Sequence, residues 1–231
     1  MKLAVIADIH ANLEALEAVL LDAKRSGCER HVFLGDFVGY CADPKACVEI
    51  VRDLNAPCVR GNHDEYCGSS NPPEALNPRA AAVVDWTRDQ LSADDRHWLS
   101  SLPYVAEVEG LTIVHATLDA PALWTYAFDV LSASASLACQ RTTVCFFGHT
   151  HVPVAFVAGA SVHAGSYQKL KIEPGRNYFI NPGSVGQPRD NDPRAAYAIY
   201  DSVDQTVKLR RLDYDIASAQ AKIRKAGLVD L

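Results

Sequence analysis

The sequence predicts a mixed α/β fold, and three features carry that reading. In the first third, short apolar runs alternate with segments whose apolar residues recur at helical spacing. In the last third, short runs rich in β-branched and aromatic residues are separated by turn residues. Throughout, aspartates and histidines cluster where the predicted strands end, which is where parallel α/β sheets place ligands.

The bulk properties narrow the class. With 231 residues, 48% of them hydrophobic, the chain can bury a sizeable core. No repeat, low-complexity tract or linker divides it, so one domain over 1–231 is expected. No apolar stretch approaches about 18 residues, and a signal-type N-terminus is missing, so a cytoplasmic protein without membrane partners is expected. Seven cysteines, an odd number with no C-x-x-C pair, argue against a disulfide framework or a thiolate zinc site. A net charge of -6 disfavours general nucleic-acid binding, but a local positive centre could still attract phosphate.

In chain order, an apolar run from Lys2 to Ala7 gives way to Asp8-Ile9-His10. In an extended segment side chains two apart leave the same side, so this carboxylate and imidazole could converge on an ion. A helix cap and a hydrogen-bonded surface histidine explain the same pair equally well. Leu13, Leu16, Leu20 and Ala23 then mark a helix stopping at Gly27. A second run, His31 to Leu34, leads into Gly35-Asp36. Asp43-Pro44 reads as N-cap and first helical residue, and a third run at Cys58-Val59 leads into Gly61-Asn62-His63-Asp64. This βαβαβ order implies parallel strands with right-handed crossovers.

A Ser/Asn/Pro-rich loop from Gly68 to Pro78 precedes two helices. One starts at Asn77-Pro78 and the other at a capping box, Ser92 to Asp95. Tyr104–Glu107 and Leu111–His115 form a predicted hairpin turning at Glu109-Gly110. After a segment from Leu118 to Gln140 with a helix near 132–139, the strand Thr142–Phe147 ends in Gly148-His149-Thr150-His151. The remainder reads as an antiparallel meander closed by a helix over about 215–226.

Nine strand-end residues remain: Asp8, His10, Asp36, Asn62, His63, Asp64, His115, His149 and His151. Oxygen and imidazole donors without thiolate suit Mn, Fe, Zn, Co or Ni. In order, D-x-H, G-D, G-N-H-D, H and G-H-x-H resemble the calcineurin-like metallophosphoesterases, in particular their compact bacterial and archaeal phosphodiesterase branch. That resemblance implies a four-layer sandwich, two mixed sheets face to face and flanked by helices, with two divalent transition-metal ions, manganese foremost. Carried over by motif, Asp8, His10 and His151 hold one ion, Asn62, His115 and His149 the other, and Asp36 bridges them. A bridging hydroxide would attack phosphorus in line, His63 would protonate the leaving oxygen, and Asp64 would orient its imidazole. Taken alone, Asp64 reads equally as a turn or cap residue.

Asn12, Tyr40 and Arg189 are candidate substrate contacts, although Asn12 also suits a helix cap. Asn181 to Gly186 resembles a loop of the same branch. Gly35-Asp36-Phe37-Val38-Gly39-Tyr40 departs from the protein-phosphatase pattern G-D-x-V-D-R-G, which turns the expectation toward a small phosphodiester or nucleotide, including a diadenosine polyphosphate. The alternatives are a phosphomonoesterase of small metabolites, or a silent protein-binding scaffold of the same fold.

Overall fold

In the computed structural model, which describes residues 1–69, 76 and 78–228, side-chain alternation along β1 (Lys2–Ile6) sets the layering. Leu3, Val5 and Ala7 enter one apolar cluster, whereas Ala4 and Ile6 enter another. The first lies between two sheets. The second lies between one sheet and its helices.

The first sheet has the order β2-β1-β10-β11-β8, from β2 (Arg30–Phe33), β10 (Ala195–Asp201), β11 (Thr206–Leu212) and β8 (Lys169–Lys171) around β1. Only β1 and β2 run parallel in it. The second has the order β3-β4-β5-β9-β6-β7, comprising β3 (Val105–Val108), β4 (Leu111–Val114), β5 (Val144–Phe146), β9 (Asn177–Asn181), β6 (Val154–Ala158) and β7 (Val162–Gly165). There β4, β5 and β9 are mutually parallel. Both sheets are therefore mixed.

Leu3, Val5, Ala198 and Val207 of the first sheet meet Ile113, Phe146, Tyr178 and Ile180 of the second in the central core. Burying each large aliphatic or aromatic side chain there contributes about 1.5–3 kcal/mol. Outside the first sheet, Ala4, Ile6, Phe33 and Tyr197 pack against Leu16 and Val19 of α1 (Leu13–Arg25), Cys47 and Val51 of α2 (Pro44–Asp53), Cys67 of α3 (Asn62–Gly68), Val84 of α4 (Pro78–Gln90) and Leu99 of α5 (Ala93–Ser101). Outside the second, Cys145, Phe147 and Phe179 pack against Ala133 and Leu137 of α6 (Val130–Cys139). The result is four layers, helix–sheet–sheet–helix. A last helix, α7 (Ile216–Lys225), lies against α1. Among the described residues no helix is long and apolar enough to cross a membrane.

The structure corrects several expectations. Cys58-Val59 forms only a parallel bridge, Phe33 to Cys58, because Pro57, just before it, has no amide to extend a ladder. Asn62 to Asp64 open a helix instead of ending a strand. The predicted meander is divided between the sheets: β9 pairs in parallel with β5, while β8, β10 and β11 join the other layer. The exposed edge strand β7, Val-His-Ala-Gly, was not expected, since it offers no apolar alternation. Most of the Gly68 to Pro78 loop, Asn77 included, lies outside the described residues.

Candidate metal centre

The candidate ligands stand at the carboxyl ends of four strands and the start of one helix. Asp8 and His10 follow β1, Asp36 follows β2, His115 follows β4, His149 and His151 follow β5, and Asn62 is the first residue of α3. Asp8 (φ 55°), His10 (φ 48°), Asp36 (φ 55°), His149 (φ 66°) and His151 (φ 59°) all adopt the left-handed region. Asp and His tolerate that region better than β-branched residues do, and such strain gathers at functional sites. The extended-chain argument for Asp8 and His10 is thereby corrected: they converge because the backbone turns at each of them.

The turns are interlocked. His10 N donates to Asp36 O (2.9 Å), Ala11 N to Phe37 O (2.9 Å), Val185 N to Ala7 O (3.0 Å) and Gly186 N to Asp8 O (2.9 Å). The hydroxyl of Ser184 also donates to Asp8 O (2.8 Å). At Gly186 a side chain would collide with the Ile9 carbonyl, and at Gly61 with the Asp36 carboxylate. The Asn181–Gly186 segment thus clamps the Asp8 turn, and Asn181 Nδ2 also donates to Gly148 O (2.6 Å), fixing the loop that carries His149 and His151.

Four fully or almost fully buried imidazoles face inward, each steered by a carbonyl. Nδ1 donates to Val38 O from His10 (3.0 Å), to Leu34 O from His115 (2.7 Å) and to Gln187 O from His151 (2.6 Å). His149 uses Nε2, donating to Trp124 O (2.8 Å). Because a carbonyl only accepts, these bonds fix which nitrogen of each ring faces the cluster, and in His10, His149 and His151, whose pKa values burial lowers, that nitrogen is bare. Metal-binding histidines are held in this way. Two donor groups result: Asp8, His10, Asp36 and His151, and Asp36, His115 and His149, with the ligand atoms of each group within 4.8 Å of one another. Asp36 belongs to both, with Oδ2 at 3.5 Å from His10 Nε2 and 3.3 Å from His115 Nε2. Oδ1 accepts from His63 N (2.9 Å).

The donors fit cations by their own chemistry. His10 Nε2 and His151 Nε2 lie 3.0 Å apart. Burial lowers the His10 pKa well below the usual value and the His151 pKa to about 3, so both rings are neutral. With both Nδ1 protons committed, two lone pairs face each other, an arrangement that a cation between them would relieve. Asp8 Oδ2 and Asn62 Oδ1 are buried without hydrogen-bond partners, each costing about 1–3 kcal/mol unless something else meets them. Burial pushes the Asp8 carboxyl up to about 7, and the Asp36 charge adds to that. For His115 burial opposes the charged form, but Asp36 beside it lifts the ring to about 9.

The other expected residues lie around this cluster. His63 is buried with Nδ1 unpartnered, its ring centroid 5.0 Å from that of His10 and 4.5 Å from that of Tyr40. Asp64 does not touch the imidazole as expected. Its oxygens accept from Asp36 N (2.7 Å), Phe37 N (2.9 Å) and Gly61 N (2.9 Å), so its carboxylate braces backbone. Asn12 caps α1, accepting from Ala15 N and donating to Gly186 O and Tyr214 Oη; these bonds commit its side chain to the fold instead of the expected substrate contact. Arg189 is exposed and donates to Gln187 Oε1 (2.7 Å), and its charge lowers the Tyr40 phenol against the larger opposing effect of burial.

Sequence reasoning missed Trp124, whose left-handed backbone (φ 54°) delivers the carbonyl that turns His149. It also missed Tyr126, whose ring lies on that of His149 at 4.0 Å. A carbonyl carries no residue-type signal; the available one was the crowding of aromatic residues, Trp124, Tyr126 and Phe128, in a Pro-containing loop.

Residues 1–205 match the family model of the calcineurin-like phosphoesterase superfamily domain. An uncharacterized protein of Methanocaldococcus jannaschii is 38% identical over 237 residues, covering 98% of this chain and 93% of that one. The crystal structure of a metallophosphoesterase from Sphaerobacter thermophilus superposes with a TM-score of 0.88 at 40% identity, covering 100% of this chain and 96% of its own. A hypothetical protein from Pyrococcus horikoshii OT3 shares the fold, with a TM-score of 0.79 at 21% identity over 98% of this chain and 94% of its own.

Proposed function

We propose that this chain, which belongs to the calcineurin-like phosphoesterase superfamily and is a metal-dependent phosphoester hydrolase, acts on a small phosphodiester or nucleotide at the cluster around Asp36. The observation that carries this reading is the sharing of Asp36 by both donor groups. In it, Asp8, His10 and His151 would hold one divalent ion, Asn62, His115 and His149 would hold a second, and Asp36 would serve both, with manganese the expected metal. When bound, such a pair activates the attacking water and offsets charge on the phosphoryl oxygens.

The chain's own groups supply the rest. Tyr40 and Arg189 sit at the rim of the cluster, where the guanidinium can hold a non-bridging phosphoryl oxygen. As the P–O bond from water forms and the ester P–O bond breaks, His63 gives a proton to the leaving oxygen. Burial lowers the His63 pKa, which makes the protonated ring a stronger acid and a scarcer one. Asp64 acts one step back by holding the amides of Asp36 and Gly61.

Turnover of a bis-aryl phosphate, an aryl monophosphate and a dinucleotide polyphosphate, each with manganese, tests the reading. Preference for either diester-type substrate supports it. Preference for the monophosphate would make the chain a monoesterase, and no turnover with no bound metal would make it a scaffold.

A further inference from the structure

Hydrolysis at this cluster leaves the substituents on phosphorus open, and the loop after His115 bears on them. Among the described residues eight large apolar side chains are exposed, and five of these, Leu123, Tyr126, Phe128, Val130 and Leu131, fall in one short segment. Two of the five are aligned with the metal cluster. The Tyr126 ring lies over His149 at 4.0 Å and 17°, and Phe128 lies parallel to Tyr126 at 5.2 Å and 6°. The three planes form a stack that starts at a candidate ligand and leads outward, ending at a Phe128 side chain that is 63% exposed. On the other side Tyr40 packs edge-on against His10 at 4.8 Å.

A phenylalanine left in water forgoes its burial energy, and an ordered parallel stack offers a flat face that an aliphatic group would use poorly. Planar heteroaromatic rings stack on such faces without needing a particular hydrogen-bond pattern. The net charge of -6 disfavours a polynucleotide, whose binding rests on clustered cations. We propose that the outer face of Phe128, extending the His149–Tyr126–Phe128 stack, is the subsite for a nucleobase carried by the phosphoester substrate. This rests on the reading of the cluster as a phosphoesterase centre and names the substituent that reading leaves open.

The test compares the manganese-loaded enzyme on thymidine 5′-(4-nitrophenyl) phosphate and methyl 4-nitrophenyl phosphate, which share a leaving group and differ in the group retained. The thymidine ester should be preferred in kcat/KM by about tenfold or more, through KM, the scale of one base stacked on one aromatic ring. Phe128→Ala should cut that ratio about tenfold, Phe128→Trp should preserve it, and Leu131→Ala, at a still more exposed neighbour, should leave it unchanged. An unchanged ratio in Phe128→Ala, or an equal fall in Leu131→Ala, overturns the subsite. So does a change of sedimentation coefficient in Phe128→Ala, which would make the patch a contact between copies of this chain. If neither ester is hydrolysed, the phosphoesterase reading fails separately. Calorimetric binding of thymidine 5′-monophosphate to wild type and Phe128→Ala then reads the subsite alone: about tenfold weaker binding supports it and equal affinities overturn it.

Discussion

Asp36→Asn separates the metal-centre reading from a purely structural one, because the two predict opposite things for the same protein. Asparagine keeps the shape, and its oxygen can still accept from His63 N, as Asp36 Oδ1 does. What it removes is one negative charge that the reading assigns to both ions. At an ion–carboxylate separation of about 4 Å and an effective dielectric near 20, that charge attracts a divalent ion by about 8 kcal/mol, and losing even half of it per ion weakens affinity by about 10³. With manganese at about 100 times the dissociation constant, each site stabilises the native state by about 2.7 kcal/mol. For a chain of 231 residues, an unfolding entropy of about 0.5 kcal/mol per degree converts two occupied sites into a Tm rise of about 11 °C. In the variant the same manganese stands near a tenth of the weakened constant, and the rise shrinks to under about 1 °C.

Without metal the ordering differs. Asp36 lies fully buried among His10, His63 and His115 and stays well below the usual carboxylate range, held there by the neighbouring imidazoles against the penalty of burial. In the variant His115 can lose its proton together with its partner, so no charge is stranded, and the metal-free protein should melt close to or above wild type. Differential scanning calorimetry with and without manganese, alongside metal analysis, reads both halves. Two retained ions per chain and an undiminished Tm rise in Asp36→Asn would refute the bridging assignment.

The other expectations are more compact. His63→Ala should keep its metal while turnover of an ester with a poor leaving group falls about 10² to 10⁴-fold; since the acid must be protonated, wild-type kcat should decline as pH rises past the His63 pKa, and a pH profile of the variant should lack that limb. Asp64→Ala strands three buried amides at about 1–3 kcal/mol each, so Tm should drop by about 6 °C or more, and thermal melts showing no drop would remove its bracing role. Manganese must displace protons from Asp8, at about 7, and His115, at about 9; the affinity should therefore fall with pH by about one decade per unit between these values and about two below 7, read by titration at several pH values. Arg210 pairs with Asp22 through bonds of 2.7 and 3.0 Å and, first among the causes, holds its carboxyl below the ordinary range. The native pKa is depressed, so this stabilisation is complete above the unfolded value near about 4 and vanishes as pH falls through the native one. Asp22→Asn should cost about 1 kcal/mol at pH 7, allowing for partial exposure, and almost nothing at pH about 2 by urea unfolding.

Elements with a strong period or a capping signature were legible in the sequence. Helix α1 and its Asn12 cap, the Ser92 box of α5 and the hairpin of β3 and β4 follow from side chains that interact within a few residues. The type of each candidate ligand was legible too, because five segments in one order outweigh the capping and hydrogen-bonding uses that each aspartate or histidine has alone. Pairing across long separations was not. Whether β9 would lie beside β5 or join β10 depends on which sheet face needs covering, and both alternatives satisfy the same alternation. The role of Asp64 was equally hidden, since a carboxylate that accepts three amides has the same sequence signature as one that faces an imidazole.

The left-handed residues explain why so much of the chain beyond the ligands is constrained. Five of them carry candidate ligand side chains, and at about 1–3 kcal/mol each their strain would total about 5–15 kcal/mol, comparable to the entire stability of a folded domain. Aspartate and histidine bring this toward the lower end, yet it still exceeds what any single contact offsets. Hydrogen bonds to these turns arrive from three directions: the Asp36–Phe37 carbonyls, the Ser184–Gly186 segment and the Asn181 amide. At about 0.5–1.5 kcal/mol apiece, such bonds balance the strain only as a set, so the strand-end turns must form together. Loosening the clamp alone, as in Asn181→Ala, should therefore lower metal affinity and stability in parallel even though its side chain contacts no candidate ligand side chain; a variant that kept its metal affinity while losing stability would show that the turns hold their geometry independently.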